Sequence, residues 1–581
     1  MDAVSVLKFV SSMLFSLNNH SMLFNVEING RKITAKRDET ILTLLHRSGI
    51  QIPTLCFMNG FTPTGACRMC VVEIEGLSDL VPACSHPVEE WMNIHTHSQR
   101  VQTARKALVE LILANHPDDC LYCGKSGICE LQKLADELNV TERKFRCKKR
   151  LSQIDRNCPS VERDPSKCIL CGRCIRICDE IIGVSAIDII NRGIRASVGT
   201  SINKGLNEKG CVKCGQCIMV CPTDALRETS SLQKVIDKLY DTNFHSVIQI
   251  SPSVPVSIAE EFGLKSGKDI LNQIKTAILR MGFRQVFDTS YGADISIIDT
   301  AVDFVSRLQK KEKFPMFTGC CPSWVKFVEE FSPGFRDRLT SAKSPQMIMG
   351  SLIKNDYGPR RSILAKNIFS VSVMPCTAKK YEAELNRTGD GANSGIDAVL
   401  TVRELIKLLK LFGIDFSSLG QEPIESFFGV HSSAGRLVGT SGGSLEAIIR
   451  TIFFIMTGQD ISGNKIAEIR GFKGRKEVKM KIGKNIYGFA AASGLANVKT
   501  LLEEIKNGRN DLHLVEVMAC PNGCINGGGQ RFGSDEKIMK ARMKNLYDAD
   551  EEDMIRAAHK NPLLTDYYAQ ALSRAKIDTY R

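Results

Sequence analysis

Hydrophobic and polar residues alternate in two short runs near the start of the chain. Residues 24–28 alternate, Asn29-Gly30 is a dipeptide typical of a tight hairpin turn, and residues 31–35 alternate again. Because successive side chains of a strand point to opposite faces, this pattern predicts a β-hairpin. Apolar residues at helical spacing then predict helices over residues 40–48 and 101–114.

From about residue 231 the pattern changes to alternating strands and helices. In chain order it predicts strand 247–250, helix 268–281, strand 295–298, helix 301–308 and strand 369–373. Strands separated by helices predict an open α/β sheet, which binds ligands on the loops that follow its strands.

Cysteine is the unusual component of a composition that is otherwise globular. The 581 residues are 43% hydrophobic, enough for about four domains of ~150 residues each. There are 22 cysteines, and all except Cys147 and Cys158 fall into closely spaced groups. A chain of this size does not need disulfides, so the grouping favours metal binding in a reducing, oxygen-poor compartment. The two ungrouped cysteines are interpreted as structural thiols.

The net charge of +13 is spread along the chain, with local concentrations at residues 143–150 and 470–484. Such runs are usually solvated faces, and the functional alternative is docking of an acidic electron carrier. Nucleic acid is disfavoured as a partner, because the basic runs lack interleaved aromatic residues and no recognition-helix or zinc-finger pattern occurs. The sequence contains no run of about 18 apolar residues and therefore predicts no membrane span.

Residues 1–21 are apolar and rich in serine. A secretory signal is incompatible with so many free thiols. An organelle presequence without the usual arginines and an alternative start at Met22 are both compatible with the segment.

The first cysteine group is Cys56-x10-Cys67-x2-Cys70-x13-Cys84. Four thiolates at these spacings on a small sheet suit a two-iron cluster, in which each iron takes two protein sulfurs. A structural zinc site is the alternative.

The second group is His116-x3-Cys120-x2-Cys123-x5-Cys129. The histidine supplies a fourth donor beside three thiols, which suits either zinc or an iron–sulfur cluster. In a cluster, imidazole in place of thiolate removes a negative charge and shifts the reduction potential upward.

The strongest local signal is a repeated run with the spacing x2, x2, x3. The two runs are Cys168, Cys171, Cys174, Cys178 and Cys211, Cys214, Cys217, Cys221. In the bacterial two-cluster ferredoxin pattern the fourth cysteine of each run binds the other cluster. One [4Fe–4S] cluster is therefore predicted at Cys168, Cys171, Cys174 and Cys221, and a second at Cys178, Cys211, Cys214 and Cys217.

Three later segments carry the remaining cysteines: residues 318–324, 374–382 and 517–530. The last contains Cys520-x3-Cys524 followed by the glycine run 527–529. Two thiols at this spacing can share one soft metal cluster, and the glycines would let a bulky inorganic ligand approach the backbone.

Taken together, these three segments resemble the signature segments of [FeFe] hydrogenases. In that family four cysteines hold the H-cluster, a [4Fe–4S] cubane joined to a di-iron centre with carbon monoxide, cyanide and bridging dithiolate ligands. The resemblance implies Cys321, Cys376, Cys520 and Cys524 as ligands, with Cys524 bridging the two parts. It also implies one [2Fe–2S] and three [4Fe–4S] accessory clusters, the His–Cys₃ site being one of the latter.

The resemblance further implies catalytic and cofactor-binding residues around the di-iron centre. Cys320 would pass protons, and Lys379 would hold a cyanide ligand by a charge-assisted hydrogen bond. The other cofactor-binding residues would be Ser251, Pro252, Ser253, Ser344, Gln346 and Met518.

The sequence departs from the family on the proton route. The two relay carboxylates usual on the helix before Cys320 fall at Thr300 and Asp303, and Thr300 cannot titrate near neutral pH. Asp303 therefore remains as the catalytic acid, with Asp299 or water expected in place of the missing one.

Two hydroxyl positions of the same route also differ. The serine usual before the cysteine pair is Gly319, whereas the relay serine falls at Thr340, which keeps a hydroxyl.

The implied fold is an α+β multidomain chain with a β-grasp ferredoxin-like domain, small Fe–S domains and a two-lobed α/β H-cluster domain. The expected boundaries are 1–21 (presequence or disordered terminus), 22–100 ([2Fe–2S]), 101–150 (His–Cys₃), 151–229 (two [4Fe–4S]) and 230–581 (H-cluster). The implied activity is reversible proton reduction to hydrogen with electrons from ferredoxin or a similar carrier, after maturation proteins install the H-cluster.

Two rival functions are a hydrogen sensor and an electron-transfer subunit resembling the large Fe–S subunit of respiratory complex I. The predicted location is the cytoplasm, or the matrix of a hydrogenosome- or mitochondrion-type organelle if residues 1–21 are a presequence.

Overall fold

The computed structural model describes residues 23–142, 144–145, 147, 149, 152–208, 210–265, 267–388, 395–416, 418–420, 426–461 and 466–577. The candidate presequence, residues 1–21, lies outside this range. Among the described helices, none combines the length and apolar character needed to cross a membrane.

The first domain is a five-stranded sheet: β1 (Leu23–Ile28), β2 (Arg31–Lys36), β3 (Val71–Ile74), β4 (Val81–Pro82) and β5 (Asn93–His95). The strand order is β2-β1-β5-β3-β4, with β1 and β5 parallel and the other pairs antiparallel. Asn29 and Gly30 have φ of 50° and 78°, so the predicted hairpin turn is confirmed. Helix Ile41–Arg47 buries its apolar face against the sheet.

Short helices and two-stranded ribbons build the following domains. The helices are Gln99–Asn115, Glu130–Glu137, Arg173–Arg176 and Gln216–Val220. The strands are β6 (Val161–Arg163), β7 (Asp188–Ile190), β8 (Ser197–Gly199) and β9 (Leu226–Glu228), paired β6 with β9 and β7 with β8. The predicted helix over 101–114 is confirmed and begins at the Ser98 N-cap.

Two four-stranded sheets form the largest domain. Its strands are β10 (His245–Ile250), β11 (Gln285–Asp288), β12 (Met316–Phe317), β13 (Ile368–Met374), β14 (Ala398–Thr401), β15 (Arg475–Ile482), β16 (Asn485–Ser493) and β17 (Leu514–Met518). One sheet has the all-parallel order β11-β10-β13-β14, and the other has the order β12-β17-β16-β15 with only β15 antiparallel. These are the two lobes of the α/β domain.

Helices pack on both sheets of this domain and supply its cores. They are Leu232–Tyr240, Pro255–Ile258, Leu271–Arg280, Thr289–Gln309, Pro322–Phe331, Pro345–Leu352, Gly358–Arg360, Ala378–Thr388, Val402–Leu411, Ala434–Leu437, Gly443–Thr457, Leu495–Lys506, Glu536–Glu552 and Thr565–Arg574. Separate apolar clusters fill the two lobes.

The predicted strand over residues 295–298 is wrong. These residues lie inside helix Thr289–Gln309, which begins at the Asp288 N-cap and also contains the predicted helix 301–308. The helix is buried on most of its surface, and its apolar residues are not confined to one face. A short apolar run inside such a helix cannot be told from a buried strand by periodicity.

Candidate active site

Three loops bring the late cysteines together. They follow β12, β13 and β17, and they carry Cys320 with Cys321, Cys376, and Cys520 with Cys524. All five thiols line one cavity that is walled by loops of both sheets. Residues far apart in sequence, including the four predicted H-cluster ligands, therefore meet at the carboxyl ends of the strands.

The backbone between Cys520 and Cys524 requires unusual conformations. Asn522 and Gly523 have φ of 63° and 90°. A Cβ on Gly523 would lie 2.6 Å from the Ser441 backbone nitrogen and 2.8 Å from the Met518 sulfur. Glycine is needed at 523 both for its positive φ and for this close approach.

The glycine run behind these cysteines does not simply make room for an inorganic ligand, as the sequence suggested. Gly527 lines the cavity, but a Cβ on Gly528 would lie 2.1 Å from the Cys214 carbonyl oxygen. A Cβ on Gly529 would lie 3.0 Å from the Cys376 backbone nitrogen. The run is small because two other loops, and not only a ligand, press against its backbone.

Burial makes the cavity thiols poor acids in the absence of a cation. Burial and the neighbouring Cys321 raise the pKa of both Cys320 and Cys520 to about 12. Burial and nearby thiols likewise raise the pKa of Cys376 and Cys524. Four thiolates can share this space only around a cationic centre, and soft sulfur donors are the ligands that iron–sulfur clusters select. The donor set therefore fits the cubane of an H-cluster.

The predicted cofactor-binding residues divide into two groups. Ser251, Pro252, Gln346, Lys379 and Met518 line the cavity. Ser253 and Ser344 do not. The Ser253 hydroxyl lies behind Ser251, 3.4 Å from the Ser251 hydroxyl, and Ser344 precedes helix Pro345–Leu352 with its side chain buried.

Lys379 is a buried cation in the cavity wall and not a surface lysine. Its Nζ donates to the Cys320 carbonyl oxygen at 3.0 Å and pairs with Glu382 at 2.9 Å. Gln346 Nε2 donates to the same Glu382 carboxylate at 3.0 Å. Burial opposes the ammonium charge, but Glu382 outweighs this effect and raises the pKa of Lys379.

Asp303 is held in a network behind the cysteine pair. It accepts hydrogen bonds from Thr340 Oγ1 at 3.0 Å and from the Ser341 backbone nitrogen at 3.1 Å. Arg307 Nε donates to it at 2.9 Å and also binds the carbonyl oxygens of the 337–339 turn. The acid is fixed in place and reaches Thr340, the position expected for a relay hydroxyl.

A small cavity separates this network from Cys320. It is lined by Cys320, Gly319, Thr340 and Thr300, with the further hydroxyl residues Ser296, Thr318 and Ser444. Asp299 does not line it. That carboxylate accepts a hydrogen bond from the Tyr567 hydroxyl at 2.7 Å, on another side of the helix. Asp299 therefore lies away from the small cavity, and water in place of the missing acid stays a prediction.

Cys56, Cys67, Cys70 and Cys84 lie within hydrogen-bonding reach of one another. Cys56 contacts Cys67 and Cys84, and Cys70 contacts Cys84. Backbone N–H groups of Cys56 and Met69 donate to the Cys67 sulfur at 3.4 and 3.5 Å. The sequence-adjacent pairs, Cys56 with Cys67 and Cys70 with Cys84, match the two-thiolates-per-iron pattern of a two-iron cluster.

The His116 ring is prepared to bind a metal. Its Nδ1 lies 3.1 Å from the Pro117 carbonyl oxygen, which fixes the proton on Nδ1. Its Nε2 is buried and has no hydrogen-bond partner among the described residues. Burial also lowers the pKa of His116, so the neutral, ligating form is favoured. Cys120 and Cys123 flank the following 3₁₀ turn, and Cys129 precedes helix Glu130–Glu137.

The two ferredoxin-like runs exchange their fourth cysteines in space. Cys168, Cys171, Cys174 and Cys221 line one cavity. Cys178, Cys211, Cys214 and Cys217 line another. This grouping is the one that the bacterial two-cluster spacing predicts.

The cavity lined by Cys178, Cys211, Cys214 and Cys217 borders the active-site loops. No sequence motif predicted the contacts between them. Thr377 Oγ1 donates to the Lys213 carbonyl oxygen at 2.9 Å, and Ser160 Oγ donates to the Thr377 carbonyl oxygen at 2.8 Å. Gln216 Nε2 donates to the Asn526 carbonyl oxygen at 2.8 Å. The loops that carry Cys214, Cys376 and Cys520 are therefore in direct contact.

The cavity lined by Cys168, Cys171, Cys174 and Cys221 borders the two amino-terminal cysteine groups. A groove is lined by Cys67, His116, Cys168 and Cys171, which belong to three different cysteine groups. Lys125 Nζ donates to the Cys221 carbonyl oxygen at 3.1 Å, and Arg176 donates to the Thr62 carbonyl oxygen at 2.6 Å.

Three of the seven basic residues in the concentration at 470–484 form ion pairs. Arg470 pairs with Glu446, Arg475 with Glu504, and Lys479 with Asp511. Of the 143–150 run, Lys144 pairs with Glu110 and Lys149 with Asp118, and several other members lie outside the described residues. Exposed, unpaired arginines occur instead beside the groove, at 68, 192 and 195, within the part of the chain that the structure describes.

Family comparisons cover most of the chain. The family described as "Iron only hydrogenase large subunit, C-terminal domain" matches residues 244–528, and "Iron hydrogenase small subunit" matches 536–575. "2Fe-2S iron-sulfur cluster binding domain" matches 21–99. "NADH-ubiquinone oxidoreductase-G iron-sulfur binding region" matches 105–144, and "NADH-quinone oxidoreductase subunit 3, ferredoxin-like domain" matches 158–227. These matches support iron–sulfur clusters, and not zinc, at both amino-terminal sites.

Individual relatives match over nearly full length. The chain is 36% identical to NADP-reducing hydrogenase subunit HndD of Solidesulfovibrio fructosivorans, covering 95% of this chain and 96% of that protein. It is 35% identical to iron hydrogenase 1 of Clostridium pasteurianum, covering 93% and 95%. A solved structure of a variant of apo [FeFe]-hydrogenase HydA1 from Chlamydomonas reinhardtii matches with a TM-score of 0.53 and 32% identity, covering 59% of this chain and 95% of that one.

Proposed function

The chain belongs to the iron-only, or [FeFe], hydrogenase family, and from this premise we propose that it interconverts protons and hydrogen at the cavity lined by the five late cysteines. The observation that carries the proposal is the meeting of three distant segments, with all five thiols, at one buried cavity. When bound there, an H-cluster supplies irons that hold electrons and a position where hydrogen is formed or split.

The thiols divide into holders of the cofactor and one proton carrier. Cys321, Cys376, Cys520 and Cys524 would hold the H-cluster when it is bound. Ser251, Pro252, Gln346 and Met518 line the remaining wall, where backbone and side-chain donors and an apolar surface orient it.

Lys379 positions a negatively charged ligand. Its ammonium is buried, is held by Glu382 and the Cys320 carbonyl oxygen, and faces the cavity. A fixed cation in a site that excludes water gives a stronger charge-assisted hydrogen bond than the same lysine would give at the surface.

Protons reach Cys320 through water. The small cavity beside Cys320 is lined by hydroxyl side chains, and Thr340 connects it to Asp303. Water in a polar cavity can find the two to four partners that it needs. Cys320 would hold the proton beside the bound cofactor, and Asp303 is the carboxylate of the route.

Electrons reach the cavity through the iron–sulfur domains in a branched order. Both amino-terminal clusters border the site of Cys168, Cys171, Cys174 and Cys221. Helix Arg173–Arg176 connects that site to the second ferredoxin-like site. The Cys214 loop of the second site touches the active-site loops. The low potentials accessible to iron–sulfur clusters suit exchange with the hydrogen couple.

The electron partner is an acidic low-potential carrier such as ferredoxin. Three exposed arginines, at 68, 192 and 195, are sequence neighbours of residues that line the groove of Cys67 and His116, and they would attract such a protein. The relative named as an NADP-reducing hydrogenase subunit makes a partner subunit the alternative source of electrons. Separate maturation proteins install the di-iron ligands, and the enzyme works in a reducing, oxygen-poor compartment such as the cytoplasm or an organelle matrix.

The deciding experiment combines activity with infrared spectroscopy on the matured protein. We expect hydrogen evolution from a reduced dye together with the carbon monoxide and cyanide bands of an H-cluster. Absence of both would contradict the proposal and leave only an electron-transfer role.

A hydrogen sensor is the second candidate, favoured by the absence of a titratable side chain at Thr300 and of a hydroxyl at Gly319. In that case the infrared bands would be present and would respond to hydrogen, while dye-driven evolution would be very slow.

A further inference from the structure

Ser323 is a buried hydroxyl that faces the cavity without a partner. It lies in the first turn of helix Pro322–Phe331, two residues after Cys321. Its side chain is 1% exposed and lines the same cavity as the cysteines. Among the described residues, none accepts or donates a hydrogen bond to its Oγ. A buried hydroxyl without a hydrogen-bond partner is unfavourable unless something that binds in the cavity forms a hydrogen bond with it.

The other hydroxyls of the cavity wall already have protein partners. Ser251 Oγ lies 3.4 Å from Ser253 Oγ, and Thr289 Oγ1 donates to the Gln249 side chain at 3.2 Å. Ser323 is therefore a donor that the protein leaves available for an occupant of the cavity.

The position of Ser323 on its helix indicates which part of a bound cofactor its hydroxyl reaches. Cys321 is the N-cap residue of the helix that contains Ser323. The Cys321 sulfur and the Ser323 hydroxyl therefore lie at the same helix end, where the partial positive charge of the helix also favours a negatively charged group. Cys321 would hold the four-iron part, whose sulfurs are negatively charged groups of this kind.

We propose that Ser323 donates a hydrogen bond to a sulfur of the four-iron part of the bound H-cluster, either a sulfide or the Cys321 thiolate, and thereby raises its reduction potential. The proposal rests on the proposed function. A hydrogen bond to sulfur stabilises the reduced, more negative cluster more than the oxidised one. Ser323 is thus a positioning and tuning residue, not a catalytic one.

Infrared spectroelectrochemistry of the matured protein tests the proposal, because the accessory clusters carry no carbon monoxide or cyanide. We expect Ser323→Ala to retain the bands and to lower the midpoint potential of the four-iron part. A loss of up to tenfold in the ratio of reduced to oxidised four-iron part at a fixed potential corresponds to a shift of its midpoint potential by up to about 59 mV for one electron. Ser323→Thr keeps the hydroxyl and should restore the wild-type midpoint.

Ser370→Ala is the matched control. Ser370 is equally buried and equally without a partner among the described residues, but it lies in β13 and does not line the cavity. Its removal should leave the midpoint unchanged. Ser323→Gly supplies a second hydroxyl-free variant if Ser323→Ala fails to load the cofactor.

The outcomes separate this proposal from the proposed function. Wild-type protein without any such bands would overturn the function itself. Bands with an unchanged midpoint in the hydroxyl-free variants would overturn the role of Ser323 alone. A shift confined to the cyanide bands, with the midpoint unchanged, would overturn the assignment to the four-iron part.

Discussion

The two sides of the active-site cavity are built in different ways. On the electron side, the loops of Cys376 and Cys520 touch the Cys214 loop through backbone contacts and direct hydrogen bonds. On the proton side, Cys320 faces a small hydroxyl-lined cavity, and the only carboxylate of the route, Asp303, is connected to it through Thr340.

This difference shows which part of the chemistry needs particular residues. A cluster fixes the type, number and spacing of its ligands, so the electron side keeps every predicted cysteine. A proton can move along water and hydroxyl groups of several kinds, so we expect the proton side to tolerate Thr300 and Gly319 in place of the usual groups. The largest effects of mutation should therefore lie on the electron side.

Cys376→Ser should have the largest effect. Serine oxygen is a poor substitute for a thiolate toward iron, so the H-cluster should not assemble. Infrared spectra should lack the carbon monoxide and cyanide bands, and hydrogen evolution should be undetectable. Cys147→Ser is the control, because that exposed thiol donates only to Ala114 and Asn115. Normal bands in Cys376→Ser would remove this residue from the ligand set.

Cys320→Ser should separate proton transfer from cofactor binding. We expect the bands to remain and turnover to fall about 10²–10⁴-fold, the usual contribution of a positioned acid–base group. Dye-linked hydrogen evolution and infrared spectra on the same sample provide the measurement. Wild-type turnover would assign Cys320 to packing alone.

Asp303→Asn keeps the shape of the relay acid and removes its titration. Because Asp303 acts through Thr340 and water, the fall in turnover should be about tenfold, smaller than that of a group in direct contact. Asp299→Asn is the matched control: burial raises the pKa of Asp299, but its hydrogen bond to Tyr567 lies off the route. A larger loss in Asp299→Asn than in Asp303→Asn would reverse the assignment.

Gly528→Ala tests the contact between the electron-side loops. The added Cβ would lie 2.1 Å from the Cys214 carbonyl oxygen, and such overpacking costs about 1–3 kcal/mol. Thermal unfolding should begin at a lower temperature, and turnover should fall several-fold while the infrared bands persist. In Gly334→Ala the new Cβ meets nothing within 4 Å, so this variant should behave like the wild type.

Thr300→Glu should have the smallest effect and the opposite sign. A carboxylate in the hydroxyl-lined cavity adds a titratable group to the route, so turnover should rise modestly if proton delivery is limiting. Thr300→Gln provides a side chain of the same size without titration. Equal turnover in both variants and the wild type would show that proton delivery at Thr300 does not limit the rate.

The grouping of the ferredoxin-like cysteines could be predicted from sequence because the spacing within each run is local. The spacing of Cys168 to Cys178 and its repeat identified two clusters, and the structure groups these thiols in the exchanged arrangement. The hairpin turn at Asn29-Gly30 was predictable for the same reason, since it depends on two adjacent residues.

Long-range features were not predictable in this way. The run 295–298 becomes helix because both lobes pack around it, which a short window of sequence does not contain. The small size of Gly528 reflects the Cys214 loop, more than 300 residues earlier in the chain. Asp299 and Thr300 are neighbours in sequence, yet only Thr300 lines the cavity beside Cys320, because they lie on different sides of one helix.

The assignment of the H-cluster to four cysteines is tested most directly by an anomalous scattering map of the matured protein at the iron absorption edge. We predict iron of a cubane and of an adjoining di-iron centre among Cys321, Cys376, Cys520 and Cys524, with Cys320 adjacent but unligated. A cavity without iron, or iron bound to Cys320 in place of Cys321, would contradict it.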